Sequence, residues 1–304
     1  MAEFEASKLF SVKGLVAVVT GGGSGLGAVM ARALDANGAS KVFILGRREQ
    51  NLKDVAAQAI NKSIIPITAD VTSKESLQAA YDTIAKQTDY VDLLVANSGI
   101  MGPSISPGQP GTPAGTQTLS ELRDHLWATP IEDFSSVFNV NISGTFYTVL
   151  AFIPLLQAAL EKRPAPVPGK LSPPKPQVII TSSIGGFSRI AAFSPAYSMS
   201  KAATNHMVKS LSTMLVKHDI RVNGIAPGLY YSDMAAPAFQ AYNAVGGGVS
   251  DGSIPREFVP IARGGASEDI AGIIVWMAGA AGGYMSGNIV VSDGGRLSMV
   301  PSSY

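Results

Sequence analysis

The chain contains no cysteine. That excludes a disulfide framework, a thiolate metal site and a thiol nucleophile. Histidine is almost as scarce. His125, His206 and His218 are the only three, and they form no local ligand pair, so no metal centre is expected. Charge is sparse too: charged residues are 15% of 304, with 23 Lys and Arg against 22 Asp and Glu, for a net charge of +1. No long basic run occurs, so no nucleic-acid partner is expected. The opening Met1-Ala2-Glu3-Phe4-Glu5 lacks the positive start and long apolar core of a secretory signal. The apolar run Ile270 to Met285 is glycine-rich and shorter than a bilayer requires. It reads as a core helix followed by a turn, so no membrane partner is expected and the expected location is cytoplasmic.

Apolar residues, by contrast, are plentiful. A hydrophobic content of 46% over this length suits one α/β domain spanning 1–304 with a large core. Short apolar runs recur with helix-length stretches between them: Leu15–Val19, Lys41–Leu45, Ile64–Thr68, Val91–Val95, Gln177–Thr181, Arg221–Ile225 and Asn288–Val291. Strands alternating with helices predict βαβ units, a mostly parallel sheet of about seven strands and right-handed crossovers. Ligands of such sheets bind at the carboxyl ends of the strands. Gly102 to Gly115 and Arg163 to Gln177, rich in Gly and Pro or in Pro, read as irregular loops. Thr148 to Leu160 is apolar on most faces and predicts a helix buried against another surface.

Two local patterns carry chemistry. In Tyr197-Ser198-Met199-Ser200-Lys201 a helical spacing of four stacks phenol and ammonium on one face. A phenol titrates near ~10, and a neighbouring ammonium lowers that value and makes it a usable acid or base. The second pattern starts at the run Leu15–Val19, which leads directly into Thr20-Gly21-Gly22-Gly23-Ser24-Gly25-Leu26-Gly27. A helical stretch follows, ending near Gly38. Strand, glycine turn and helix N-terminus together form a phosphate site, because glycines admit the ligand and free N–H groups attract the anion.

The T-G-x-x-x-G-x-G spacing and the downstream Y-x-x-x-K resemble the short-chain dehydrogenase/reductase family. Further stations match in order. Asp70-Val71 resembles the family's adenine contact, and Ala96-Asn97-Ser98-Gly99 resembles its N-N-A-G element, with Ala96 and Ser98 as departures. Asn141 resembles its active-site Asn. Ser182-Ser183-Ile184-Gly185-Gly186 resembles the turn bearing its catalytic Ser. Both serines qualify, and the S-x-x-G spacing to Gly186 favours Ser183. Pro227-Gly228 and Asp293-Gly294-Gly295 resemble its two C-terminal signatures. The stretch Leu229 to Met234 is similar to fungal members, some of them in secondary metabolism.

The resemblance implies a single-domain, Rossmann-type doubly wound sheet with helices on both faces. It implies a cofactor-binding half at 12–100, a catalytic half at 130–228 and a substrate lid at 229–260. Proton donation falls to Tyr197, with Lys201 also holding the nicotinamide ribose. Ser183 polarises the carbonyl, Asn141 holds a water, and the Ser232 hydroxyl holds the nicotinamide carboxamide. Cofactor contacts are expected at Thr20, Gly21, Gly23, Ser24, Gly25, Leu26, Gly27, Asp70, Val71, Asn97, Ser98, Gly99, Pro227 and Gly228 as well.

The second strand candidate ends in Gly46-Arg47-Arg48, with no acid to bind the ribose hydroxyls of NAD. Arg47, helped by Arg48 and Ser24, favours the 2′-phosphate of NADP(H) unless both arginines are merely solvated. The expected activity is reversible carbonyl/alcohol oxidoreduction on a small, hydrophobic or ring-bearing substrate. A homodimer or homotetramer is implied. Two alternatives are a non-redox isomerase, dehydratase or cyclase on the same scaffold, and a dinucleotide-binding regulator. The complete Ser183, Tyr197 and Lys201 set argues against the regulator, because binding alone needs no proton donor.

Overall fold

Seven apolar segments become seven strands because each is flanked by residues that stop a helix and carries branched side chains that fill a sheet. A computed structural model describes residues 4–102, 118–190 and 194–304. The strands are β1 Val16–Thr20, β2 Lys41–Gly46, β3 Ile64–Thr68, β4 Leu93–Ala96, β5 Gln177–Thr181, β6 Arg221–Pro227 and β7 Ile289–Ser292. All pair in parallel, in the order β3-β2-β1-β4-β5-β6-β7. Every residue of β1 is buried. The expected fold class is thus observed, with each strand within two residues or so of its sequence-based bounds.

Among the described residues the helices are α1 Ala6–Leu9, α2 Gly25–Ala36, α3 Glu49–Ala57, α4 Lys74–Ala85 and α5 Leu119–Trp127. They continue as α6 Ile131–Phe138, α7 Thr145–Glu161, α8 Pro195–Leu215, α9 Ala236–Ala241 and α10 Ser267–Ala278. Alternation along the strands sorts the core into two layers. Val18, Phe43, Leu94, Val178 and Val222 pack with side chains of α4, α7 and α8. Ala17, Val19, Ile44, Val95 and Ile225 pack on the other face with α2, α3 and α10. The sheet is therefore covered on both sides.

The predicted core helix in Ile270 to Met285 is α10 followed by a 3₁₀ turn. A different stretch, Ile131–Glu161, is long and apolar enough by length and composition to cross a bilayer. Here Val137, Val149, Phe152 and Leu156 turn one of its faces into the core. The Pro-rich segment before β5 is irregular, as expected, and Arg163 donates to the Pro173 and Pro174 carbonyls. It precedes β5 and so lies at the amino ends of the strands. The Gly/Pro-rich segment at 103–115 lies outside the described residues.

Phe152 has no exposure and meets the Tyr81 ring at 6.2 Å between centroids. Phe152→Ala is expected to cost about 3–5 kcal/mol, the usual range for a fully buried aromatic. Tyr284→Ala, at a fully exposed position, should change stability by no more than about 0.5 kcal/mol. Urea unfolding of the two variants checks the ordering.

Candidate active site

The strand order reverses between β1 and β4, so the loops after these strands diverge and leave a crevice at their carboxyl ends. A cavity of about 670 Å³ occupies that position. The Thr20 hydroxyl ties the two strand ends together, accepting the N–H groups of Asn97 at 3.0 Å and Ser98 at 3.1 Å. Asn97 returns its amide to the Thr20 carbonyl at 3.1 Å. Thr20 is therefore buried behind the cavity wall rather than on it.

Gly21 and Gly25 have φ of +65° and +53°, conformations that glycine adopts without a Cβ clash. A Cβ on Gly27 would stand 2.3 Å from the Gly21 carbonyl oxygen. Gly27 thus lets α2 press against the turn and, like Thr20, does not line the cavity. Gly21, Gly23, Ser24, Gly25 and Leu26 do line it. The open N-terminus of α2 faces the same space, with its first-turn N–H groups free for an anion.

At the end of β2 the cavity is bounded by Gly46, Arg47, Arg48 and Asn51. Arg48 precedes α3 and donates to the Ser24 hydroxyl at 3.1 Å. Asn51, one turn into α3, was not anticipated; its spacing of four from Arg47 was the available signal. Asp70 and Val71 form the neighbouring wall. The Asp70 carboxylate accepts the Thr72 N–H and hydroxyl at 2.9 and 2.7 Å, which lowers its pKa, with Arg47 adding a smaller pull.

The opposite half of the cavity is organised by α8. Ser194 caps it, accepting the Tyr197 N–H at 3.3 Å, and Pro195 starts the first turn. This anchors Tyr197 in the first turn and Lys201 one turn later, and both line the cavity. The Lys201 ammonium donates to the Thr181 carbonyl at 2.8 Å and lies 5.7 Å from the Tyr197 ring centroid. The two adjacent serines part company. Ser182 is 2% exposed and donates to the Lys201 carbonyl at 3.2 Å, while its hydroxyl also pairs with the Asn205 side chain at 2.5 Å. The Ser183 hydroxyl accepts the Gly185 N–H in its own turn at 3.0 Å and stands beside the Tyr197 hydroxyl. A Cβ on Gly186 would sit 2.6 Å from the Lys201 carbonyl, so this glycine lets the serine turn seat on α8.

Burial dominates the electrostatics. It raises the Tyr197 pKa, with the Ser183 hydroxyl opposing the rise. It lowers Lys201 to about 8. The lowering of the phenol by Lys201 expected from the spacing is not found: desolvation raises the Tyr197 pKa, and the group that opposes the rise is the Ser183 hydroxyl.

Asn141 is buried in a π-helical segment, Asn139–Gly144, between α6 and α7. Its amide donates to the Ile100 carbonyl at 3.0 Å and the Ser200 hydroxyl at 2.9 Å, and its oxygen accepts the Ile100 N–H at 2.9 Å. It does not line the cavity. Its side chain instead joins the loop after β4 to α8, close to Lys201. Ser98, Gly99, Pro227, Gly228 and Ser232 all reach the cavity, as does Asn97.

The 229–260 segment holds a small core of Phe239, Ile254 and Val259, against which Tyr242 and Phe258 pack. Met234 and Phe258 face the cavity. The chain after β7 adds a wall that was not anticipated, from Arg296, Leu297 and Val300. Its last residues run alongside the serine turn: Arg189 donates to the Pro301 carbonyl, and Tyr304 meets the Phe187 ring edge-on at 5.3 Å. Asp293-Gly294-Gly295 was the signal for this wall, because Arg296 follows it directly.

The arrangement matches a known group of proteins. The profile of the short chain dehydrogenase family covers residues 15–243. The chain belongs to this family. It is 45% identical over 300 residues to the short-chain dehydrogenase/reductase PhomF of Diaporthe leptostromiformis, covering 98% of this chain and 97% of that one. It is 39% identical over 310 residues to the short-chain dehydrogenase/reductase VdtF of Byssochlamys spectabilis, covering 98% of each. Among solved structures, the RhlG/NADP active-site complex of Pseudomonas aeruginosa superposes with a TM-score of 0.73 at 27% identity, covering 95% of this chain and 98% of that one. As a short-chain dehydrogenase, the chain is an oxidoreductase that uses a nicotinamide dinucleotide. The glycine turn that a Cβ would fill, the open α2 terminus and the acid-free end of β2 fit such a cofactor.

The lowered Lys201 pKa has a consequence for stability. The folded value of about 8 lies below the 10.5 of an unperturbed lysine. Between the two, the unfolded chain binds more protons, so this group makes folding more favourable as pH rises through that window. It costs the fold on the order of 3 kcal/mol below about pH 8, where the buried ammonium stays charged. Lys201→Met should remove that pH-dependent part. Melting both proteins from pH 7 to pH 10 checks it; parallel curves would show that the ammonium is not desolvated.

Proposed function

We propose that the chain is an NADP(H)-dependent reductase that converts a ketone or aldehyde to an alcohol on a small, hydrophobic or ring-bearing substrate. The observation that carries this reading is the meeting of Ser183, Tyr197 and Lys201 in one cavity with the glycine turn. When bound, the cofactor supplies hydride to the carbonyl carbon. Tyr197 gives its phenolic proton to the carbonyl oxygen as that oxygen becomes an alcohol. Ser183 donates a hydrogen bond to the same oxygen and stabilises the charge that develops there. Lys201, held near Tyr197, favours the transient phenolate and is placed to hold the nicotinamide ribose. Asn141 joins the Gly99–Ile100 stretch of the loop after β4 to α8 through its side chain and, in this reading, holds a water on the route that returns a proton to Tyr197. Low exposure around Lys201 strengthens each of these interactions relative to water.

In this reading the 12–100 half binds the cofactor, 130–228 carries the catalytic groups, and 229–260 covers the substrate. Thr20 and Gly27 support the cofactor by shaping its turn, and Ser232 is placed to meet the nicotinamide carboxamide. The half-exposed Tyr147 and Leu150 on the outer face of α7 suit a homodimer or homotetramer. The similarity of Leu229 to Met234 to fungal members makes a role in secondary metabolism, in the cytoplasm, the preferred setting.

Tyr197→Phe removes a single hydroxyl. It should leave NADPH affinity nearly intact and lower turnover by about 10²-fold or more, the scale of a lost general acid. Lys201→Met should lower turnover and weaken NADPH binding as well. Nicotinamide absorbance with a carbonyl panel, alongside fluorescence titration, separates the two effects. Full activity in Tyr197→Phe would refute Tyr197 as the proton donor, and no NADPH oxidation by the unaltered protein with any carbonyl would turn the assignment toward a non-redox reaction.

Arg47 faces the cavity where a NAD-selective acid would stand. NADPH should therefore bind more tightly than NADH, and Arg47→Ala should erase most of the difference. One charge-assisted phosphate contact contributes about 1.5–3 kcal/mol, roughly ten- to a hundred-fold. Equal affinities for the two cofactors in the unaltered protein would refute the preference.

A further inference from the structure

The substrate end of the cavity is largely apolar, with Met234, Phe258, Leu297 and Val300 on its walls. One cation stands among them. Arg296 opens the short 3₁₀ turn Arg296–Ser298 after β7. Its backbone is set by the turn before it. The Asp293 carboxylate accepts the Gly295 N–H at 2.9 Å and the Leu297 N–H at 2.7 Å. Both Asp293 oxygens are thereby engaged. Gly294 and Gly295 have φ of +62° and +85° and press against Ile261 and Pro260. Arg296 is thus presented from a firmly packed turn.

The guanidinium stacks over the Phe258 ring at 4.1 Å from its centroid. Stacking uses a face of the planar group and leaves its N–H donors, which lie in the plane, to find other partners. Among the described residues, none of those donors has a hydrogen-bond acceptor or a carboxylate within ion-pair distance. Burial lowers the Arg296 pKa, and Tyr242 and Asp293 oppose the fall only as more distant charges. Asp233 also lines the cavity, but it is exposed and makes no ion pair with Arg296. A partly desolvated cation held against Phe258, with N–H donors unused among the described residues, matches a planar two-oxygen anion.

We propose that Arg296 is an anion anchor that binds a carboxylate on the substrate, so that the natural substrate is a carbonyl compound carrying a carboxylic acid. Assigning that carboxylate to a substrate rests on the reductase reading above; the anion site itself does not. Arg47 and Arg48 stand by the glycine turn, at the other end of the same cavity. The Arg296 site is therefore separate from the place proposed for the cofactor phosphate.

The test uses 2-naphthoate and its methyl ester as probes, titrated by calorimetry into the full-length protein with and without NADP⁺. The carboxylate should bind the unaltered protein at least ten-fold more tightly than the ester, with NADP⁺ present. Arg296→Met should abolish that difference, acting on the acid far more than on the ester. Arg296→Lys, which keeps the charge but loses the planar fork, should retain part of it. Melting temperature and NADPH titration establish that each variant is folded. No preference for the acid in the unaltered protein, or a preference that survives in Arg296→Met, would overturn the proposal. NADPH oxidation with matched keto acids and keto esters is run in parallel. Arg296-dependent naphthoate binding without any turnover would sink the reductase reading and leave the anion site standing. Turnover with no Arg296-dependent acid preference would do the reverse.

Discussion

The active cavity exists because β1 and β4 are neighbours although β2 and β3 separate them in sequence. Parallel pairing there leaves α2 and α3 on one face and α4 and α7 on the other, which opens a crevice at the carboxyl ends. A single hydroxyl closes the underside of that crevice. Thr20 Oγ1 takes two N–H donors from the start of the β4 loop, donors that would otherwise be left unpaired beneath a ligand. From this point the glycine turn leads one way and the Asn97–Gly99 segment the other. Everything that meets the dinucleotide in the proposed mechanism is positioned relative to that seam.

On the far side the positioning problem is solved by closeness rather than by charge. The serine turn seats directly on the backbone of α8, a contact only a glycine at 186 allows. The Asn141 side chain then connects α8 to the loop after β4 through Ser200 and Ile100. The π-helical segment at Asn139–Gly144 widens the helix at the point where this connection is made. Tyr197 and Lys201 thus share α8, and Ser183 stands on the turn seated against it. The ammonium of Lys201 has the Thr181 carbonyl as its neutral partner. A buried cation so placed is poised to respond to an electron-rich group brought beside it.

Much of this was legible in the chain, and the exceptions have physical reasons. The five central strands announce themselves as apolar runs because both faces of the sheet are covered there, and the edge strands β3 and β7, only partly buried, keep the same apolar pattern. The start of β4 shifted for a local reason. β4 starts at Leu93 rather than Val91 because the Asp92 carboxylate takes the Val16 N–H at 2.9 Å, and the Val91 N–H goes to the Leu155 carbonyl. The glycine turn and the Tyr197–Lys201 pair were readable because short-range spacing alone defines them. Spacing could not distinguish Ser182 from Ser183; the difference is which neighbour each hydroxyl meets across the fold. Nor could it reveal that Thr20, Gly27 and Asn141 stand behind the wall, since their partners lie at Asn97, Gly21 and Ile100. The wall formed by the chain after β7 was least visible. Its contacts to Phe187 and Arg189 join segments more than a hundred residues apart.

The distribution of charge gives the cavity a direction. The chain as a whole is nearly neutral, yet Arg47 and Arg48 mark one end of the cavity, Lys201 its middle and Arg296 its far wall. Of the two acids on its lining, Asp70 is engaged by Thr72 and Asp233 is exposed. Opposite charges in a partly desolvated space attract more strongly than in water, so such a cavity favours anionic guests along its whole length. In the proposed function the added phosphate of the dinucleotide meets Arg47 and Arg48, and its nicotinamide ribose meets Lys201. Arg296 stands apart from that phosphate position, in the turn after β7 and over the Phe258 ring. Neutral packing would have sufficed there for an apolar substrate, at lower desolvation cost. A stacked arginine with its donor edge unspent is therefore better explained by recognition than by stability.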